Sequence, residues 1–176
     1  TVFKNVLPKE NLKIGDMDIT FIRTTHSIPD TFALFIQSPA GNILHTGDFK
    51  FDLTPVDGEE FDFEALHNAT QQGIDLLISD STNVERPGHT QSEASIAPNV
   101  LKVVKNCKKR IFLSTFSSHI HRIQHVIDAA MQTNRKVCLH GYSMEAFAEV
   151  AQNLGYLKCA EDILVSLDEI LALPDE

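Results

Sequence analysis

The sequence predicts an α/β protein that begins as antiparallel sheet and continues as alternating strands and helices. Up to residue 46, apolar and polar residues alternate between short turns, which is typical of β-hairpins. From residue 61 onward, stretches with helical spacing alternate with short apolar runs. Of the 176 residues, 43% are apolar and 22% are charged, which excludes a disordered chain. No apolar run reaches the ~18 residues of a membrane span, and the first residues do not resemble a signal peptide.

The first part is predicted to be mainly β-structure. Four segments alternate between turn residues: 12–14, 17–24, 31–37 and 43–46. A helix is expected over 61–72, where Gly73 ends it. The apolar run 74–79 predicts a strand buried on both faces.

The second part is predicted to contain βαβ units and a parallel sheet. Helices are expected at 92–106, 118–132, 143–154 and, more briefly, 167–171. Strands are expected at 110–115 and 136–140. Turn residues in 83–92 mark the boundary, which divides the chain into 1–91 and 92–176.

The net charge of −9 is unevenly distributed. Residues 1–91 carry 14 acidic and 6 basic side chains, whereas residues 92–176 carry 10 and 9. Taken over the whole chain, a net charge of −9 argues against nucleic-acid binding. When the charge is counted separately for the two parts, residues 92–176 are nearly neutral. A basic cluster near 102–110 is explained either by cations at a helix C-terminus or by phosphate contact. The three cysteines match no zinc motif, which favours reduced thiols in a cytosolic protein.

Polar residues follow three predicted strands in the first part. His26, Asp48 and Asp80 each lie where a strand ends, in the runs TTHSIPD, HTGDF and SDSTN. Imidazole and carboxylate groups that converge at strand ends can hold a metal ion. A metal lowers the pKa of bound water enough for hydrolysis near neutral pH. An ordinary loop histidine and a plain Gly-Asp turn remain the alternative interpretation.

Two strand-to-helix turns in the second part are candidates for phosphate binding. Ser117 or Ser118 is expected to cap the helix that follows, and the same helix start could hold a phosphate with help from Arg122. The turn before Ser143 repeats this arrangement. His121 and His125 lie one helical turn apart, but the intervening arginine disfavours a metal there.

Taken together, these segments resemble ribonuclease J, a bacterial and plastid family in the β-CASP branch of the metallo-β-lactamase superfamily. The resemblance covers nearly the whole chain in the family's order. It is carried by TTHSIPD (24–30), GNILHTGDFKFD (41–52), LLISDSTNVERPGHTQSE (76–93), TFSSHIHRIQHVIDAA (115–130) and RKVCLHGYSM (135–144).

The resemblance implies part of a metallo-β-lactamase αββα sandwich followed by part of a β-CASP α/β domain. Residues 1–91 would be the C-terminal portion of the first metallo-β-lactamase segment, and residues 92–176 the N-terminal portion of the β-CASP domain. It also implies an enzyme with two zinc ions that cuts RNA as an endonuclease and as a 5′-to-3′ exonuclease. That enzyme would act in RNA maturation and decay in the cytoplasm or a plastid. It would be a homo-oligomer without membrane contact, working with RNA-decay proteins.

The resemblance also implies roles for single residues. His26 matches a zinc ligand, Asp48 the carboxylate that bridges both zincs, and Asp80 an acidic catalytic residue beside the metal site. The RNA-facing candidates are Ser117, Ser118, His119, Arg122 and Ser143.

The chain also departs from the family. It lacks the His-x-His-x-Asp-His motif and the later histidines, and Tyr142 stands where relatives often have arginine. We therefore expect an internal piece of the enzyme, with metal sites empty or weakly filled and negligible activity by itself. The alternatives are a non-catalytic RNA- or nucleotide-binding module, and a small-molecule metallohydrolase such as a lactonase. The β-CASP-like second part disfavours the metallohydrolase.

Overall fold

A computed structural model describes residues 3–160 and 162–174. Contacts within the chain define two compact units. Unit 1 comprises Thr1–His26 and Asp30–Gln91, and unit 2 comprises Ser27–Pro29 and Ser92–Glu176. Together the units give a mixed α/β architecture, which confirms the predicted fold class.

Unit 1 contains a five-stranded sheet whose strands lie in sequence order. The strands are β1 (Asn11–Ile14), β2 (Met17–Arg23), β3 (Phe32–Ser38), β4 (Gly41–His45) and β5 (Leu76–Ile78). The first four are antiparallel, and β5 runs parallel to β4. Gly15, with φ +60°, supplies the left-handed conformation that the tight turn between β1 and β2 requires.

The core of unit 1 lies between this sheet and helix α1 (Phe63–Gln71). Ile22 and Phe35, at 0% and 2% exposure, are its largest buried side chains. Each stabilises the fold by about 1.5–3 kcal/mol through loss of exposed apolar surface. The Asp62 side chain accepts a hydrogen bond from the Ala65 amide at 2.8 Å, which caps α1 at its first turn.

Unit 2 is built from helices around one apolar stripe. A 3₁₀ turn (Glu93–Ser95) precedes α2 (Ala97–Asn106), α3 (Ile120–Gln132), α4 (Tyr142–Asn153) and α5 (Leu167–Ala172). Ile120, Ile123 and Ile127 recur at helical spacing on α3 and pack with Ala148 and Ala151 of α4. This spacing explains why the helices of the second part were predictable.

The predicted strands 110–115 and 136–140 are wrong. Among the residues the structure describes, neither segment joins a ladder, and a single parallel bridge joins Val137 to Leu164. A strand needs a neighbour for its backbone N–H and C=O groups. Just before the first segment, the Arg135 guanidinium donates to the carbonyls of Cys107 and Lys109, so a side chain rather than a strand partner satisfies the backbone there. The predicted parallel sheet of the second part is therefore absent from the described residues.

The prediction that the 74–79 strand is buried on both faces is also wrong. Its side chains Leu76, Leu77 and Ile78 are 49%, 57% and 45% exposed. In the described residues β5 is the last strand of the sheet and pairs with β4 alone, and no layer there buries its side chains. A wholly apolar run indicates burial, but it does not supply the layer that would cover it.

Candidate functional site

Asp48 and Asp80 follow two neighbouring parallel strands at the same edge of the unit 1 sheet. The Thr46 amide donates to the Ile78 carbonyl at 2.9 Å, and the Asp80 amide donates to the Thr46 hydroxyl at 3.0 Å. These bonds extend the pairing of β4 and β5 beyond the strand ends. The two carboxylates therefore leave the sheet from adjacent positions.

His26 reaches the same place through an isolated antiparallel bridge. Thr25 pairs with Lys50, whose amide donates to the Thr25 carbonyl at 2.8 Å. The bridge places His26 Nε2 at 4.0 Å from Asp48 Oδ2. That separation is too long for a hydrogen bond. It also exceeds the roughly 3.4 Å between two ligands of a tetrahedral zinc ion with ~2.0–2.2 Å bonds, so the two side chains are neighbours that must approach each other to share one ion.

A buried charge pair supports the segment that carries Asp48. Asp52 is 3% exposed, and its carboxylate lies 3.2 Å from Lys50 Nζ. The Asp52 amide donates to the Thr25 hydroxyl at 3.2 Å, and that hydroxyl donates to the Lys50 carbonyl. Sequence reasoning missed these residues. The available signal was two charges flanking Phe51 in a segment that must turn back on the sheet.

The Asp80 carboxylate is held in its ionised form. The Thr82 hydroxyl and amide donate to Asp80 Oδ1 at 2.7 and 2.9 Å. These hydrogen bonds, with a smaller contribution from the Phe49 amide, lower the pKa of Asp80 below its ordinary value. Asp80 therefore presents a negative charge beside His26 at neutral pH.

The described residues do not complete a metal centre. In residues 3–160 and 162–174, no three His, Cys, Asp or Glu side chains are placed to hold a metal ion. Catalytic zinc usually has three protein ligands, so His26 and Asp48 form an incomplete set. His121 and His125 do not replace it, because His125 is buried with its Nε2 atom 3.3 Å from the Glu93 carbonyl oxygen.

The start of α3 differs from the predicted capping arrangement. The N-cap residue is His119, and its side chain makes no capping hydrogen bond, so neither Ser117 nor Ser118 caps the helix. Instead the Ile120 amide donates to the Ser118 carbonyl at 2.9 Å, which tightens the first turn. Ser117 and Ser118 are half-buried there. Because backbone oxygens already occupy several N–H groups, the helix start offers fewer donors to a phosphate.

Arg122 forms an ion pair with a buried carboxylate. Its Nε and Nη2 atoms donate to Glu93 Oε1 and Oε2 at 2.5 and 3.0 Å, and Glu93 is 6% exposed. The hydrogen bonds that Arg122 donates to Glu93 raise the pKa of Arg122 above its ordinary value. His119 Nε2 lies 3.5 Å from Glu93 Oε2 on the same carboxylate. The Glu93 carboxylate therefore contacts two of the predicted RNA-facing residues. Sequence reasoning missed this role.

The second predicted phosphate turn has a different arrangement. Ser143 is exposed in the first turn of α4, whose N-cap is Gly141 at φ +113°. The Gly141 amide donates to Glu145 Oε1 at 3.1 Å. A carboxylate thus already occupies one donor of this turn.

Two comparisons in sequence give the same family. Residues 108–176 match the model of the ribonuclease J β-CASP domain. Ribonuclease J of Thermus thermophilus is 45% identical over 98% of this chain and 30% of its own length. Ribonuclease J of Synechocystis is 41% identical over 100% of this chain and 28% of its own length. Ribonuclease J2 of Bacillus subtilis is 35% identical over 99% of this chain and 31% of its own length. The likeness to ribonuclease J is therefore confirmed, and the chain spans about 30% of these relatives.

A solved structure shares the fold. A crystal structure of a protein of unknown function from Enterococcus faecalis V583 matches with a TM-score of 0.65 and 16% identity. The matched region covers 99% of this chain and 44% of the chain in that crystal structure. In the described part of the chain, no helix is long and apolar enough to cross a membrane.

Proposed function

We propose that this chain is an internal segment of a metal-dependent ribonuclease of the ribonuclease J type. The main observation behind this proposal is that His26 Nε2 lies 4.0 Å from Asp48 Oδ2, beside the ionised carboxylate of Asp80. The ribonuclease J likeness along the chain supports the assignment. In this proposal residues 1–91 are metallo-β-lactamase sequence, and residues 92–176 are β-CASP sequence.

His26 and Asp48 would hold zinc in the complete enzyme, together with ligands from outside this chain. When bound there, two zinc ions would activate a water for attack on phosphorus and stabilise the charge on the phosphoryl oxygens. The Thr25–Lys50 bridge keeps the His26 and Asp48 segments together. Asp80, fixed by Thr82, adds negative charge beside them.

Unit 2 would bind the RNA backbone. Arg122 is a cation with 29% of its side chain exposed, and Ser117, Ser118, His119 and Ser143 lie near the starts of α3 and α4. Phosphate contacts of this kind position a nucleic acid without reading its sequence. We further propose that the complete enzyme is a cytoplasmic or plastid homo-oligomer that cooperates with RNA-decay proteins.

The metal assignment is tested by Asp48→Ala in a longer protein that contains this segment. We expect metal-dependent RNA cleavage to be abolished, because one carboxylate would no longer hold the metals. Asp16→Ala, in the turn between β1 and β2, is the matched control and should leave cleavage unchanged. Cleavage that survives Asp48→Ala would show that the metal ligands are elsewhere.

The isolated chain gives a second test. We expect negligible nuclease activity and well under one zinc per chain by elemental analysis, because two ligands bind a catalytic metal weakly. A full two-metal load would show that further ligands exist in this chain.

A further inference from the structure

We propose that Glu93 is a positioning residue that orients the Arg122 guanidinium toward an RNA phosphate. The inference rests on the proposed contact between Arg122 and RNA. It adds a residue that does not touch RNA itself and acts through Arg122.

The geometry of the pair is a side-on grip. Glu93 Oε1 accepts from Nε at 2.5 Å, and Oε2 accepts from Nη2 at 3.0 Å, so the carboxylate occupies one edge of the guanidinium. The Glu93 side chain is 7% exposed and that of Arg122 is 29% exposed. The carboxylate is therefore almost wholly buried, while part of the Arg122 side chain is exposed.

The adjacent edge of the guanidinium, formed by Nη1 and Nη2, has donors that Glu93 does not use. A guanidinium has five N–H donors in a fixed plane, and the side-on grip uses two of them. Among residues 3–160 and 162–174, Arg122 Nη1 makes no hydrogen bond or ion pair. The edge formed by Nη1 and Nη2 matches the spacing of two phosphate oxygens, and arginine favours this bidentate arrangement.

Glu93 is itself held in place by α3. His119 Nε2 lies 3.5 Å from its carboxylate, and His125 Nε2 lies 3.3 Å from its backbone carbonyl. Arg122 lies between these histidines in sequence, so Glu93 is contacted by the N-cap residue of α3 and at two positions within the helix. A carboxylate fixed in this way restricts the rotamers of Arg122, and less entropy is lost when a phosphate binds.

Positioning and simple electrostatics predict opposite results for Glu93→Gln. Removing a negative charge near an RNA contact should tighten binding if charge alone matters. Removing the grip should weaken binding if the orientation of Arg122 matters. We expect a loss on the order of threefold to tenfold, as for a lost charge-assisted hydrogen bond.

The experiment measures binding of the 176-residue chain to a fluorescent 12-nucleotide single-stranded RNA at several salt concentrations. Arg122→Gln should weaken binding and reduce the salt slope by about 0.7, the value for one phosphate of a single strand. In the Arg122→Gln background, Glu93→Gln should add no further loss, because its effect passes through Arg122. Glu149→Gln, which removes an exposed charge from α4, is the control and should not weaken binding.

Circular dichroism establishes that each variant is folded. If Glu93→Gln does not fold, Glu93→Asp replaces it; the shorter carboxylate keeps the charge but cannot grip both nitrogens, and it should also weaken binding. Binding by the folded Glu93 variant that is unchanged or tighter, with Arg122→Gln weakened, would overturn the positioning role alone. Unchanged binding by Arg122→Gln, or no binding by the unsubstituted chain, would overturn the proposed RNA contact as well.

Discussion

The charge of Asp80 depends on Thr82, and this dependence can be measured. We predict that Thr82→Val raises the pKa of Asp80, because the variant lacks the hydroxyl that donates to Oδ1 at 2.7 Å. Thr82→Ser keeps a hydroxyl and should leave the pKa low. A carbon-detected NMR titration of the Asp80 carboxyl reports both values, and equal pKa values in the valine and serine variants would contradict the assignment.

The sign of the pH dependence follows from the lowered pKa of folded Asp80. A depressed folded pKa contributes stability that is fully present above the unfolded value of about 3.9. This contribution is lost as the pH falls through the folded pKa. Thr82→Val should therefore lower stability at neutral pH by a small amount, and the difference from the unsubstituted chain should shrink in acid.

Gly47, beside Asp48, is a second position at which a single added atom, a Cβ, should destabilise the fold. A Cβ at Gly47 would lie 2.8 Å from the Phe32 carbonyl oxygen, and the residue has φ +59°. Gly58 has φ +76° and no atom within 4 Å of such a Cβ, so Gly58→Ala isolates the backbone strain. We predict that Gly58→Ala costs about 1 kcal/mol. Gly47→Ala should cost clearly more, and equal urea midpoints for the two variants would refute the clash.

The sequence indicated candidate site residues, but it did not indicate the buried charged residues that hold neighbouring segments and side chains in place. His26, Asp48 and Asp80 stood out because polar residues at strand ends break an apolar pattern, and their role in a site stays a prediction. The buried charges Asp52 and Glu93 were missed, although Asp52 pairs with Lys50 only two residues away, whereas the partner of Glu93, Arg122, lies on α3. Local sequence does not predict that either carboxylate is buried, because burial of a charge is decided by tertiary contacts.

Among the elements, α3 carries the core of unit 2 along one face. Ile127 on this helix is fully buried, whereas Met131, one turn later, is 45% exposed. We predict that Ile127→Ala lowers the free energy of unfolding by about 2–5 kcal/mol, through lost burial and a residual cavity. Met131→Ala, on the same helix, should change it by less than about 0.5 kcal/mol. Chemical unfolding of the two variants compares them, and similar losses would place the core elsewhere.

Helices and strands differed in how well the sequence predicted them. The predicted helix at 118–132 corresponds to α3 at Ile120–Gln132, and 143–154 corresponds to α4 at Tyr142–Asn153. A helix satisfies its own backbone hydrogen bonds, so its periodic pattern is nearly sufficient. The 110–115 and 136–140 segments have strand-like composition, but a strand also requires a neighbour, which local sequence does not specify.

For the whole molecule, net charge is a poor guide to function. The value of −9 combines an acidic first part and a nearly neutral second part. Within unit 1, Lys50 is paired with buried Asp52, and the acidic candidates Asp48 and Asp80 lie together at a sheet edge. Within unit 2, the Arg122 side chain is partly exposed, and one edge of its guanidinium is bound to Glu93. The distribution of charge is therefore more informative than its sum.

The exposed strand β5 predicts how the whole chain behaves in concentrated solution. Leu76, Leu77 and Ile78 are about half exposed, and in the described residues β5 pairs with β4 alone. An exposed apolar edge strand is a template for pairing with another chain. We therefore predict concentration-dependent self-association of the 176-residue chain, measured by sedimentation velocity.

Leu77→Lys should weaken this self-association, because a lysine on an edge strand opposes strand-to-strand pairing. Val84→Lys adds the same charge at a side chain that is 78% exposed and lies outside any strand. If the two variants reduce association equally, net charge rather than the β5 edge controls it. If only Leu77→Lys restores a monomer, the apolar edge of β5 is the contact, since the charge change is identical in both variants.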